Sequence, residues 1–409
     1  MLSLTQNTSR QREIIEVVFR NGWDYMRGLL TGNKSDEPRL PSPEVFRKIL
    51  IELGPVYVKL GQLLSTRPDL LPGRYIDALS DLQTNVPPVA WIAVENFLRG
   101  QLSQPLEDIF SEIEPDAVAA GSIAQTHRAT LKNGQQVALK IRRPGIEPVV
   151  ESDIALIKSL AELAALTDFG KDYDIVALAD EFTTALRAEL DFTTEASYTE
   201  QLRRGLSESR WFDIKKLVIP KVYWELTAPG LLVLEWLEGV PLLLSSPSQS
   251  ERRAIATLLF RAFFQQIYIN GFFHADPHPG NIFYLKDGRI ALLDFGLVGR
   301  LDPRTQGLLT EMLLAVVELD AGRCAQLTLE LAEAGQPTSL ERLTSDCDRM
   351  LRKYYNRNLS QINFSHVVYE FLQVARNNKI RLPGNMGLYA KTLANLEGVA
   401  RSFDPDVNL

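Results

Sequence analysis

Apolar residues recur at helical spacing over residues 9–30, with Ile14, Val17, Val18, Trp23 and Leu29 among them. The pattern predicts an amphipathic helix or helix pair that packs on other protein rather than on a membrane. A polar stretch from Gly32 to Pro43 reads as a linker. Helical spacing resumes over 44–66, broken near Gly54-Pro55, and again over 73–104, interrupted at 86–88 by Val-Pro-Pro. Near residue 108 the period changes. Ile109, Phe110 and Ile113, then 125–131, then 136–141 alternate as strands, and Asn133-Gly134 carries the hairpin signal between the last two. Helical stretches follow at 148–166 and 174–204. Strands are expected at 217–224 and 230–236, joined by a turn at Ala228-Pro229-Gly230. From about residue 250 the chain reads as helix to its end, except for a polar, strand-rich passage at 274–299. The expectation is an α+β chain in three regions: a helical extension (1–107), a small strand-rich lobe with inserted helices (108–238) and a larger helical lobe (239–409).

Composition narrows the function classes. Of 409 residues, 45% are hydrophobic and 23% charged, which is globular and neither disordered nor collagen-like. Acidic residues (51) exceed basic ones (44), for a net charge of −7, which argues against a general nucleic-acid binder. Cys324 and Cys347 cannot build a disulfide framework or a CxxC metal site and read as buried thiols of a reduced, intracellular compartment. The first residues lack a signal-peptide pattern. No apolar run reaches the roughly 18 residues of a membrane span.

The chemistry concentrates in HADPHPGNIFYLKDGRIALLDFG, residues 274–296. Asp276 is followed five residues later by Asn281 and, after a hairpin pattern, by Asp294-Phe295-Gly296. Mg²⁺ takes oxygen ligands and usually binds through one or two carboxylates plus substrate phosphates. Asn281 and Asp294 can supply such oxygens, which leaves Asp276 to orient or deprotonate an attacking hydroxyl or water. Pro277 and Pro279 fix φ twice, so the segment is a rigid loop rather than a helix. Each of these residues alone would suit an ordinary turn; their joint spacing between strand patterns points to a site.

A second element is Val137-Ala138-Leu139-Lys140, preceded by the small-residue turn Ala119-Ala120-Gly121-Ser122-Ile123-Ala124-Gln125. The pair resembles a kinase small lobe, in which a turn covers phosphates and a strand lysine contacts them. The turn is alanine-rich where protein kinases are glycine-rich. A third element is Asp302-Pro303, only six residues past Gly296, which reads as the cap and first position of a helix. An activation segment with Ala-Pro-Glu is absent from the sequence, which argues against routine phosphorylation of proteins in trans.

With Lys59-Leu60-Gly61-Gln62, LLSTRPDLLP and Glu189-Leu190-Asp191-Phe192 added, the chain from about residue 45 onward resembles the UbiB-type (aarF-domain) atypical kinases, linked to coenzyme Q and other isoprenoid lipids. The resemblance implies a bilobal protein-kinase-like fold with the helical extension packed over the nucleotide site. It implies that Lys140 binds phosphate and pairs with Glu195, that Ala119, Ala120, Gly121 and Ser122 cover the nucleotide, and that Glu235, Trp236 and Leu237 join the lobes beside the adenine. Asp276 would be the catalytic-loop aspartate, and Asn281 and Asp294 would hold Mg²⁺. Lys59 and Gln62, which share a helix face at i and i+3, would project over the site towards Glu189 and Asp191, with Gly61 allowing close approach. Gly121 replaces the third alanine of the family's turn, and Leu82-Gln83-Thr84 replaces its usual Leu-Gln-Asp.

The reading is an ATP- and Mg²⁺-dependent atypical kinase or ATPase that supports isoprenoid-quinone or other prenyl-lipid metabolism. Its expected partners are ATP and ADP, prenyl-lipid intermediates and a membrane surface, with no nucleic acid. Relatives commonly continue into membrane-spanning helices near where this sequence stops, at Phe403 to Leu409, so a peripheral membrane association is expected. The rival readings are a nucleotide-gated lipid-binding or chaperone-like module and a small-molecule kinase of the aminoglycoside or choline type. His274 is expected to bond loop backbone, and His127 and His366 to be surface or packing residues. Trp23, Trp91, Trp211 and Trp224 are expected in the core or at interfaces.

Overall fold

The computed structural model describes residues 10, 12–14, 16–17, 20–21, 41–67, 71–80, 82, 87–166, 175–333, 338–354 and 363–404. The expected linker at 32–43, Trp23, Leu29, Gln83, Thr84 and residues 405–409 lie wholly or mostly outside them. The chain divides into two compact units: Met1–Ser65, Leu70–Thr194 and Tyr223–Leu234 form the first, and Thr66–Asp69, Glu195–Val222 and Glu235–Leu409 the second.

In the first unit, α1 (Pro43–Leu53) and α2 (Pro55–Leu64) are separated where the pattern predicted. Gly54 takes φ +96° and Pro55 begins the next helix without an N–H to continue the first. Helices α3 (Gly73–Ser80) and α4 (Trp91–Gln101) follow. Strands β1 (Phe110–Ile113), β2 (Ala119–Ala120), β3 (Ala124–Leu131), β4 (Gln136–Arg142) and β6 (Leu231–Glu235) form one sheet in the order β1-β3-β4-β6, with β2 on β3. β3 and β4 are an antiparallel hairpin in which Thr130 faces Gln136. Alternate residues of β3 are buried. Val94 and Leu98 of α4 pack with Val137, Leu139 and Ile141 of β4 and Leu231 and Val233 of β6.

The inserted helices are α5 (Ile146–Ala164), α6 (Ile175–Glu189) and α7 (Phe192–Leu206). The single helix expected over 174–204 is thus two. Asp191 ends the first and opens the second: its Oδ1 accepts from both the N–H (3.0 Å) and the hydroxyl (2.7 Å) of Thr193. An Asp side chain competes with helical backbone pairing in this way and so favours helix starts over helix interiors.

The second unit holds the sheet β5-β10-β9-β7, made of β5 (Leu217–Val218), β10 (Ile290–Leu292), β9 (Ile282–Leu285) and β7 (Gly239–Pro241). β8 (Phe272–His274) pairs with β11 (Val298–Arg300). The strand expected at 217–224 is cut short, because Pro220 cannot donate to a ladder, and β5 pairs in parallel with β10. Helices α8 (Gln249–Phe264), α9 (Pro303–Val317), α10 (Ala321–Leu331), α11 (Leu340–Leu351), α12 (Phe364–Asn377) and α13 (Asn385–Phe403) complete it. α9 opens as its sequence predicts: Asp302 accepts from the N–H groups of Arg304 and Thr305 ahead of Pro303. One core gathers Phe273, Ala275, Met386, Tyr389, Ala390 and Leu393 with α9 to α12, and a second gathers Phe263, Ile282, Leu292 and Phe295.

Both cysteines are buried in the first of these cores, and burial pushes Cys324 up to about 12 and Cys347 up to about 11. Trp211 and Trp224 are 61% and 45% exposed, so neither is a core residue. Trp91 packs on His127, with ring centroids 5.1 Å apart. Among the described residues no helix is long and apolar enough to cross a membrane.

Candidate functional site

In the first unit, Lys140 sits on β4 opposite Thr126 of β3, and its Nζ lies 5.7 Å from the centroid of the Phe192 ring. Ala119 and Ala120 pair with Thr126 and Gln125, and the Gly121 N–H donates to the Ala124 carbonyl at 2.8 Å, with Ser122 and Ile123 at the tip. The turn is tied down by the residue that follows β4: the Arg143 N–H donates to the Ile123 carbonyl, its Nε to the Gly121 carbonyl and its Nη2 to the Pro87 carbonyl, each at 2.8 Å.

Beside the turn runs a buried polar chain. Gln125 Oε1 accepts from the Val89 N–H and Gln125 Nε2 donates to the Val89 carbonyl. Its other hydrogen faces His127 Nε2 at 2.8 Å, and His127 Nδ1 lies 2.8 Å from the Glu114 carbonyl. A carbonyl only accepts, so Nδ1 carries the proton and Nε2 accepts from Gln125. Burial lowers the His127 pKa. This histidine is a fully buried member of a network.

On α2, Lys59 Nζ lies 2.9 Å from Glu189 Oε2. Gln62 Nε2 donates to the Leu82 carbonyl at 2.7 Å. Gly61 lies against Leu50 and Leu82, whose methyl groups occupy the space a Cβ would need. Asp191 caps α7, as described above.

In the second unit, a six-residue π turn (Gln265–Asn270) ends α8 before β8 delivers His274-Ala275-Asp276. Gln266 Oε1 accepts the His274 N–H at 2.9 Å. His274 Nδ1 accepts from the Asp276 N–H at 3.2 Å, so the neutral ring holds its proton on Nε2. Burial lowers the His274 pKa against the opposing pull of Asp276 and Asp294. The Asp276 carbonyl accepts from the His278 N–H (2.8 Å) and from Asn281 Nδ2 (3.1 Å). The Asn281 N–H returns to the His278 carbonyl, and the Leu293 N–H donates to the Asn281 carbonyl.

Asp294 adopts φ +56°, a left-handed conformation uncommon for a residue with a Cβ. Its Oδ1 accepts from the Gly296 N–H at 3.2 Å. A Cβ on Gly296 would lie 3.2 Å from Asp294 Oδ1 and 3.8 Å from Glu195 Oε2, so the two carboxylates converge there. Glu195 is buried in the first turn of α7. Glu235 ends β6, where the chain passes from the first unit to the second, and exchanges main-chain and side-chain bonds with Lys221. Trp236 bonds Glu238, and Leu237 is half-buried.

The donor set suits a hard divalent cation. Asn281 gives an amide hydrogen to the loop and can offer Oδ1, and Asp294 offers carboxylate oxygen. Among the described residues no group of three or more His, Cys, Asp or Glu is gathered to hold a metal. A cation at these two side chains would therefore draw further oxygens from phosphates or water.

Two residues of α13 join the loop that sequence reasoning did not single out. Thr392 Oγ1 donates to the Ala275 carbonyl at 3.3 Å, and Asn395 Nδ2 to Asp276 Oδ1 at 3.4 Å. Their i, i+3 spacing is the one trace of this in the sequence.

The pattern of the ABC1 atypical kinase-like domain matches residues 81–328. The chain belongs to the ABC1/UbiB atypical kinase-like family. The UbiB helical domain matches residues 347–408 as well. The chain is 61% identical to Uncharacterized protein slr0889 of Synechocystis over 97% of its own length and 100% of that protein. It is 35% identical to "Probable protein kinase UbiB" of Marinobacter nauticus over 91% of its length and 69% of that protein. The Rv3197–erythromycin complex of Mycobacterium tuberculosis shares the fold: the TM-score is 0.54 at 24% identity, covering 87% of this chain and 90% of that one. The kinase-like fold with N-terminal helices expected from sequence is thus present, and an ABC1-type domain implies nucleotide binding.

Proposed function

We propose that the chain is an ATP- and Mg²⁺-dependent atypical kinase or ATPase acting on a small or lipidic acceptor. Lys140 contacts phosphate oxygens, and the turn from Ala119 to Ser122 covers them. Glu235 and Leu237 lie at the adenine, and Asn281 and Asp294 hold the Mg²⁺. The metal, when bound, neutralises charge on the phosphates. Asp276 accepts a proton from, or orients, the attacking hydroxyl or water. The observation that carries the reading is Asp294 in a left-handed conformation, its Oδ1 bonded to the Gly296 N–H, on a strand-flanked loop after Asp276 and Asn281.

One feature favours a small or lipidic acceptor over a protein. α9 begins only seven residues past Gly296, which leaves little chain for a peptide-binding segment. The resemblance gives Lys59, engaged with Glu189, and Gln62, bonded to Leu82, a regulatory role. The resemblance to UbiB-type kinases directs the search to prenyl-quinone precursors at a membrane. The test is Mg²⁺-dependent ATP turnover with and without prenyl-quinone precursors in liposomes, with mass spectrometry of the lipids. A phosphorylated lipid supports a kinase, and stimulated turnover without one supports a nucleotide-gated lipid handler. No turnover and no nucleotide binding under any condition would sink both.

A further inference from the structure

The main chain of Asp276 is committed on both sides. Its N–H is held by His274 Nδ1, and its carbonyl by the His278 N–H and Asn281 Nδ2. These bonds fix where the Cα–Cβ bond points. They do not fix rotation of the carboxyl group about it, since they involve no side-chain oxygen. The described bond to Oδ1 comes from a helix 119 residues away in sequence, through Asn395 Nδ2 at 3.4 Å. Oδ2 is turned towards the His278 side, with Nε2 3.9 Å away. One turn earlier on the same face, the fully buried Thr392 donates to the carbonyl of Ala275. Below both, Met386, Tyr389, Ala390 and Leu393 pack with Ala275 and Phe273. α13 therefore holds two consecutive loop residues by two polar contacts over an apolar base.

We propose that Asn395 is a positioning residue for Asp276: its amide occupies Oδ1, so that Oδ2 is the oxygen presented to the attacking hydroxyl or water. Thr392 fixes the register of the loop under it. The inference rests on the reading of Asp276 as the catalytic-loop aspartate. It gives the C-terminal helical region a role in turnover without contact to the nucleotide. Misorientation of a reacting group by about 1 Å costs on the order of a hundredfold in rate, so loss of one restraint among several is expected to cost about tenfold.

The test compares Asn395→Ala with Asn395→Asp. Asp has nearly the shape of Asn but lacks the donor and sets a second carboxylate against Asp276. The expected order of kcat is Asn above Ala above Asp, with ADP·Mg²⁺ binding by calorimetry and the melting temperature nearly unchanged for Ala. In an Asp276→Ala background, Asn395→Ala is expected to have no further effect. If Asn395→Asp turns over like the parent, or Ala is the worse of the two, the residue fills space and the proposal is overturned. Inactive Asp276→Asn beside fully active Asn395 variants overturns this inference alone. Fully active Asp276→Asn overturns the role of Asp276 as well.

Discussion

The Arg143 guanidinium donates from Nε to the carbonyl of Gly121, and from Nη2 to that of Pro87, at 2.8 Å each. One side chain thus ties the alanine-rich turn to the segment leading into α4. Arg143→Ala removes both bonds, a loss of about 1–3 kcal/mol. It is expected to raise the KM for ATP several-fold with a smaller change in kcat. Lys offers a single point donor instead of a planar fork and should rescue poorly. Steady-state kinetics of the two variants decide it: an unchanged KM in both would mean the clamp is irrelevant to the nucleotide.

Gly121 has room for a methyl group. A Cβ there meets only the Ala124 carbonyl, at 3.6 Å, and the residue is outside the left-handed region. Gly121→Ala is expected to be tolerated or to stabilise by about 0.4–1 kcal/mol through the unfolded chain. A chemical-denaturation midpoint below the parent's would show that the turn needs glycine after all.

Arg10 donates to both carboxylate oxygens of the fully buried Asp153, at 2.8 and 3.0 Å. It also reaches the Leu53 carbonyl at the end of α1. Arg10→Ala leaves Asp153 buried and unpaired, and breaking such a pair costs about 3–5 kcal/mol. Replacing both residues together with apolar ones should recover much of the loss. Denaturation curves showing Arg10→Ala within about 0.5 kcal/mol of the parent would contradict this, since surface substitutions behave that way.

What was legible in the sequence was local. Asp302-Pro303 announces α9, Asn133-Gly134 announces the β3–β4 hairpin, and the strand–loop–strand passage at 274–299 is read from neighbours. The break at Asp191 was missed because helical periodicity continues across it and the cap lies in one side chain. β5 is shorter than its apolar pattern because Pro220 interrupts the ladder, and its partner, β10, comes from another part of the chain. The polar contacts around the turn and loop were illegible for the same reason. Arg143 meets Pro87 across 56 residues and Asn395 meets Asp276 across 119. No composition or spacing rule reaches over such separations.

His127 supplies a pH dependence. Nδ1–H is given to Glu114 and Nε2 faces an N–H of Gln125, so a second proton would set donor against donor. Its folded pKa is lowered by burial, and the unfolded chain therefore binds the proton first. The stability is present above the unfolded value of about 6.5 and is lost as pH falls below it towards the folded value. Melting temperatures are expected to fall between about pH 7.5 and about pH 5.5, less steeply in His127→Gln, with buried His274 responsible for what remains. A slope identical in parent and variant would remove His127 from the account.

The central claim is that Asp294 serves a Mg²⁺-bound nucleotide. Its direct measurement is Mg²⁺-dependent ATP hydrolysis by the purified chain beside Asp294→Asn, which keeps the shape and removes the charge. The account predicts turnover in the parent and a loss of about a hundredfold or more in the variant, with the melting temperature preserved. Equal turnover in the two proteins would contradict it.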